Sequence, residues 1–223
     1  MWKALLYKEW IKSRWYLLLA LVVTLGFAAY ALLKLHRAVA LMGADHIWEV
    51  MVTRQAVFID PMQYVPLLAG LALAAVQYLP EMHRKCLKLT LHLPLPALTT
   101  LGVMLAFGVA ALAVLFGLGI ALLAAGARPV LAPELVGNIL HTALPWYLAG
   151  VAGYLLGAWI ILEPTWKRRL LYLLMSVLLL RLFFLAPVPR AYGGFLPVLA
   201  LLSLCAAALS WLSVVRFMAG RQD

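Results

Sequence analysis

Side chains able to do chemistry are few in this chain, and most stand apart from one another. Its 223 residues include eight acidic, 18 basic and five histidine side chains. The acidic ones fall at the ends of long apolar runs or between them. No Gly-Lys dipeptide occurs, which excludes a Walker-type phosphate loop and direct ATP binding by that device. No serine sits two residues after a glycine, and no His-Glu-x-x-His is present, so two common hydrolase signatures are missing. An intramembrane hydrolase needs such groups buried and convergent, and an ion-coupled carrier normally keeps a carboxylate within its spans. Neither pattern is visible, so no catalytic residue is assigned and enzymatic activity is not expected. His46 and Glu49 would share a helix face, but two donors without a third and fourth do not define a metal site, and none is assigned. Cys86 between apolar runs and Cys205 inside one are too differently placed to pair as a disulfide.

The apolar runs must position whatever function exists. Hydrophobic residues make up 66% of the chain and charged residues 12%, with a mean hydropathy of +1.01; a soluble domain has roughly 25% charged residues. A hydrocarbon core about 30 Å thick is crossed by roughly 20 helical residues. Six runs approach or exceed that length, near 16–33, 62–79, 98–125, 144–162, 170–186 and 195–215. The expected fold is therefore all-α: a single polytopic membrane domain over 1–223. Its first span is expected to be a retained anchor, since no small-residue cleavage site follows it.

Charge sets the expected topology. Lys3, Lys8, Lys12, Arg14, Arg84, Lys85, Lys88, Lys167, Arg168, Arg169, Arg216 and Arg221 flank one face, and Lys34, Arg37, Arg54, Arg128 and Arg190 the other, with Arg181 inside the fifth run. By the positive-inside rule the first set and both termini are cytoplasmic. The net charge of +10 is accounted for by topology and anionic lipid headgroups, so membrane lipid is an expected partner and nucleic acid is not.

The segment joining the second and third runs is the most informative. From Pro80 to Pro96 it opens with a charged turn, continues as leucines interleaved with polar residues, and ends at prolines that stop a helix before the next run. Chemically it suits a short amphipathic element, either docked in a protein groove or dipping into headgroups. Glu81, then Arg84 and Lys85, then Leu87, Lys88 and Leu91, then Pro94 stand in an order that resembles the transmembrane permease subunits of ABC-2-type exporters. The resemblance covers the architecture of most of the chain, while motif-level agreement is confined to about fifteen residues. Cys86-Leu87 and Pro96-Ala97 depart from the family's pattern, which leaves subfamily and substrate open.

The resemblance implies that 80–96 is a cytoplasmic coupling helix docking on a separate ABC ATPase subunit. That partner would bind ATP and Mg, with no cofactor in this chain. It implies dimerisation with a second copy or a related permease, in a bacterial inner membrane. It also implies that residues 1–15 form an interface helix; wound as a helix, they place Lys8, Glu9, Lys12 and Ser13 on one face, with Tyr7, Trp10 and Ile11 largely opposite. A lipid-surface anchor is the plain alternative for this segment. For Glu163 to Arg169 the resemblance implies a second, minor contact with the partner, but a simple positive-inside turn is the favoured reading. Arg181, costly at mid-bilayer, is a candidate for the translocation path or for snorkelling to the nearer headgroups. Gln77 is a second candidate for the path, though backbone bonding is the more ordinary use of such a residue. Gly153 and Gly157, and Gly70 and Ala74, have the small-xxx-small spacing of closely packed helices. The outer segment 34–60 reads as extensions of the first two helices or a surface helix. A haem-exporter-like permease, an assembly protein without transport and a membrane enzyme are the alternatives.

Overall fold

The computed structural model describes residues 2–53, 56, 58–83, 96–186 and 190–219. All regular structure among them is helical: α1 Trp2–Met42, α2 Ala44–Thr53, α3 Val65–His83, α4 Ala97–Ala127, α5 Pro133–Leu162, α6 Trp166–Arg181 and α7 Leu196–Met218, with 3-10 turns at Asp60–Met62 and Leu182–Phe184. Five helical stretches are long and apolar enough to cross a membrane: Trp2–Met42, Asp60–His83, Ala97–Ala127, Pro133–Leu162 and Leu196–Met218.

Several boundaries differ from expectation, each for a local reason. The segment 1–15 is not separated from the first span. Nothing between Trp2 and Gly26 breaks a helix, and α1 continues without interruption for 41 residues. The helix of the fourth run, α5, begins at Pro133 rather than near 144. Proline fits the first helical turn, where its missing N–H costs nothing, and Pro145 is accommodated inside the helix. The fifth run has only 16 residues of α-helix before its 3-10 turn. In the outer segment α1 extends to Met42, and Gly43, at φ +83°, turns the chain into α2, whose Ile47 and Met51 are buried.

Helix directions alternate. Tyr16 Oη donates to the Ala69 carbonyl at 2.6 Å, joining α1 to the oppositely directed α3. Gly119 and Gly126 of α4 face Thr24 and Leu32 of α1, so these two helices run parallel. α3 and α5 are also parallel and touch through backbone: a Cβ on Gly70 would lie 1.9 Å from the Gly150 carbonyl oxygen, and one on Gly157 would lie 3.0 Å from Ala74 Cβ. The small-residue spacing is thus used within the chain, where close approach maximises dispersion contact between helices that lipid does not drive together.

α5 is the centre, buried along most of its length against α3, α4, α6 and α7. α6 is peripheral, with Tyr172 and Ser176 turned inward and Leu170, Leu171, Leu174 and Leu178 exposed. The alternation gathers Lys3, Lys8, Lys12, Arg14, Lys167, Arg168, Arg169 and Arg216 at one end, called the basic end below. Lys34, Arg37, Arg128, Arg181 and Arg190 lie toward the other.

Candidate functional site at the basic end

The polar face of the first helix is legible in its sequence, and its use is specific. Where α1 approaches the C-terminal turn of α3, Lys12 Nζ lies 3.0 Å from Glu9 Oε2 one turn away and 2.9 Å from Glu81 Oε1 on α3. Lys8 Nζ adds a contact of 2.8 Å to the same Glu81 oxygen. Ser13 Oγ donates to the Glu9 carbonyl at 2.8 Å, completing the buried face. Glu9 is 0% and Glu81 2% exposed, whereas Trp10 on the opposite flank is 52% exposed. The arrangement follows from spacing: residues 8, 9, 12 and 13 share one helix face. Long lysine stems let the ammonium groups reach the carboxylates while keeping partial contact with water.

Among the described residues two carboxylates stand against two ammonium groups with no net charge, the condition for burying ions without a prohibitive desolvation cost. The two acids are nevertheless unlike. Both lie at the basic end, outside the apolar runs 16–33 and 62–79. Burial dominates at Glu9 and, aided by the Glu81 charge, raises its pKa despite Lys12 and Lys8. Burial also works to raise Glu81, but hydrogen bonds and charge from Lys8 and Lys12 outweigh it and hold the pKa below the usual carboxylate value. Glu81 Oε1 takes both lysines, while Oε2 accepts no hydrogen bond among the described residues. Arg84, Lys85, Leu87, Lys88, Leu91 and Pro94 lie outside the described residues.

A third buried acid lies at the same end. Glu163, just past α5, is 0% exposed; it accepts from Ser213 Oγ at 2.7 Å and from Arg216 Nη1 at 3.3 Å. Arg169 Nη2 donates to the Glu163 carbonyl at 2.7 Å, and the Tyr172 hydroxyl bonds Arg216 while its ring stacks on Trp159 at 4.0 Å. The α5–α6 turn, expected to be a simple basic turn, is therefore stapled to α7. The available signal was the row Ser203, Ser210, Ser213 and Arg216, a polar stripe at helical spacing along an otherwise apolar span.

The two path candidates are not brought together. Gln77 is fully buried: its Nε2 donates to the Met104 carbonyl at 2.9 Å, and its Oε1 accepts from Tyr154 Oη at 2.9 Å, with Tyr78 Oη a further 3.0 Å from Tyr154 Oη. Gly108 makes the network fit, because a Cβ there would lie 2.1 Å from Tyr154 Oη. Gln77 thus has the backbone-bonded role ordinary for such a residue. Arg181 ends α6 with its side chain exposed, and no described carboxylate pairs with it.

The helices and their apolar exteriors define a multi-pass membrane protein. No family model, curated protein or solved structure matches the chain.

Proposed function

We propose that this chain is the permease subunit of an ATP-driven exporter, with six spans, both termini cytoplasmic, in a bacterial inner membrane. It works as a dimer with a second copy or a related permease, and a separate ATPase binds ATP and Mg. The span that brings the five long helices to six in this reading is α6 with its 3-10 turn, about 30 Å long at the usual rises of the two helix types. The cytoplasmic assignment rests on the lysine and arginine excess at the basic end, where the exposed Trp2, Trp10, Trp15 and Trp166 are of the type enriched at both headgroup layers.

The observation that carries the reading is the Lys12–Glu81 bridge. Glu81 is the last acid before the 84–95 segment, whose residue order resembles a coupling helix, and it is tied through Lys12 to Glu9 on another helix. A push on that segment would therefore move α1 and α3 together instead of being absorbed by a loose loop. These 223 residues hold no phosphate loop, so in this reading the push comes from the ATPase. With few charges in the spans, the cargo is hydrophobic or amphiphilic.

Affinity purification of the full chain from its native membrane, followed by nucleotide hydrolysis assays, tests this. A subunit with nucleotide-binding motifs should co-purify, and Glu81→Ala should remove cargo-stimulated hydrolysis while leaving the helical content unchanged. Partners lacking such motifs, or hydrolysis indifferent to Glu81, would refute the reading.

A further inference from the structure

On the outer surface of the bundle, α1 and α4 enclose a groove of about 670 Å³, within the size range of small-ligand sites. The two helices approach closely where Gly119 and Gly126 meet Thr24 and Leu32, and the groove opens between residues 10–21 of α1 and 107–118 of α4. Ala110 and Ala111 line it, leaving room that larger side chains would occupy, and Leu21 and Leu118 line it farther from the basic end. Trp10, Arg14 and Trp15 stand at the mouth. From Trp10 to Leu21 the groove runs about 16 Å along the helix, roughly half the ~30 Å hydrocarbon core.

Charge separates Arg14 from its neighbours. Lys8 and Lys12 are engaged with Glu81 and Glu9, whereas no described carboxylate lies within ion-pair distance of Arg14, whose guanidinium instead sits 5.6 Å from the Trp15 ring centre. An apolar trough one leaflet deep, with an exposed cation and two tryptophans at its headgroup end, has the charge and shape complement of one ligand class. We infer that the α1–α4 groove is a binding site for an anionic phospholipid of the leaflet at the basic end, one acyl chain lying in the trough and the phosphate against Arg14. The site stands whether or not the chain is coupled to an ATPase.

The full chain, purified in detergent, is titrated with phosphatidylglycerol or phosphatidylcholine carrying dibrominated acyl chains, and tryptophan quenching is read. A Trp10→Phe/Trp15→Phe chain supplies the background from the other tryptophans. Phosphatidylglycerol should half-quench the Trp10 and Trp15 signal at about fivefold lower lipid than phosphatidylcholine, the ratio for one basic residue at a membrane surface. Arg14→Gln should bring the two lipids to parity, Arg14→Lys should keep the preference, and Ala111→Phe should weaken both by filling the groove. Equal quenching of the unaltered chain by the two lipids would reduce the groove to ordinary lipid contact and overturn the proposal. So would a preference that survives Arg14→Gln, or an Ala111→Phe chain that binds lipid unchanged but changes from dimer to monomer in light scattering, since a second copy would then be the occupant. If Ala111→Phe does not fold, the Arg14 pair decides.

Discussion

Two buried carboxylate clusters occupy the same end of this bundle, and they are built on opposite plans. Around Glu9 and Glu81, two acids on different helices share two lysines from α1, and Lys12 holds both acids at once. Around Glu163, one acid is held by Ser213 and Arg216 of α7, while Arg169 takes its backbone carbonyl. The first cluster is mutual, so removing its centre strands two charges. The second is radial: its loss leaves the buried Ser213 hydroxyl without its acceptor, but the one cation it frees, Arg216, already reaches water. Under the proposed function the first plan suits coupling between helices, while the second fixes a turn.

The largest effect should follow Lys12→Ala. It leaves Glu9 without its nearest described cation and, among the described residues, Glu81 with Lys8, both in a buried setting, and breaking a buried ion pair from one side costs about 3–5 kcal/mol. Denaturant or thermal unfolding of the detergent-solubilised chain would measure it. Adding Glu9→Gln should recover part of the loss. A double chain no more stable than Lys12→Ala alone would mean that the stranded charge is not the cause.

Arg216→Ala comes next. Glu163 keeps the Ser213 hydroxyl but loses its cation, and an under-satisfied buried acceptor costs about 1–3 kcal/mol. The same unfolding measurement applies, and a loss equal to that of Lys12→Ala would erase the distinction between the two plans.

How much of this was legible follows the same division. Glu9, Lys8, Lys12 and Ser13 could be placed on one face because spacing within a helix is local information, and Glu81 stood out by its position before the 84–95 segment. The Glu163 cluster joins residues about fifty positions apart, and its only local trace was a serine stripe that resembles ordinary packing. Helix existence was readable from apolar length. The ends were not, since Pro133 reads as a breaker in sequence yet serves as a first-turn residue. Gln77 was ambiguous for a related reason: its role depends on Gly108 and Tyr154 arriving from two other helices.

A paired substitution separates stability from function. Glu81→Gln and Glu163→Gln each replace a buried charge by a neutral group of nearly the same shape, and each should cost about 1–2 kcal/mol in unfolding experiments. Under the proposed function, only Glu81→Gln should also diminish ATPase stimulation in the reconstituted complex. Equal losses of stimulation would make both clusters structural and remove the basis for calling one of them a coupling element.

Lys8→Ala should have the smallest effect and is the most discriminating test of the shared plan. Its side chain is 38% exposed, against 17% for Lys12, although both reach the same Glu81 oxygen. Water and salt screen an ion pair so placed, and pairs of that kind contribute about 0–1 kcal/mol. Distance alone ranks Lys8 at least equal to Lys12, because its contact is 2.8 Å against 2.9 Å; burial ranks it well below. Raising the salt concentration should shrink the Lys8→Ala difference further while leaving that of Lys12→Ala largely intact, since buried pairs are screened much less. Two lysines with equal, equally salt-sensitive effects would mean that Glu81 is held by exposed charge rather than by a bridge between helices.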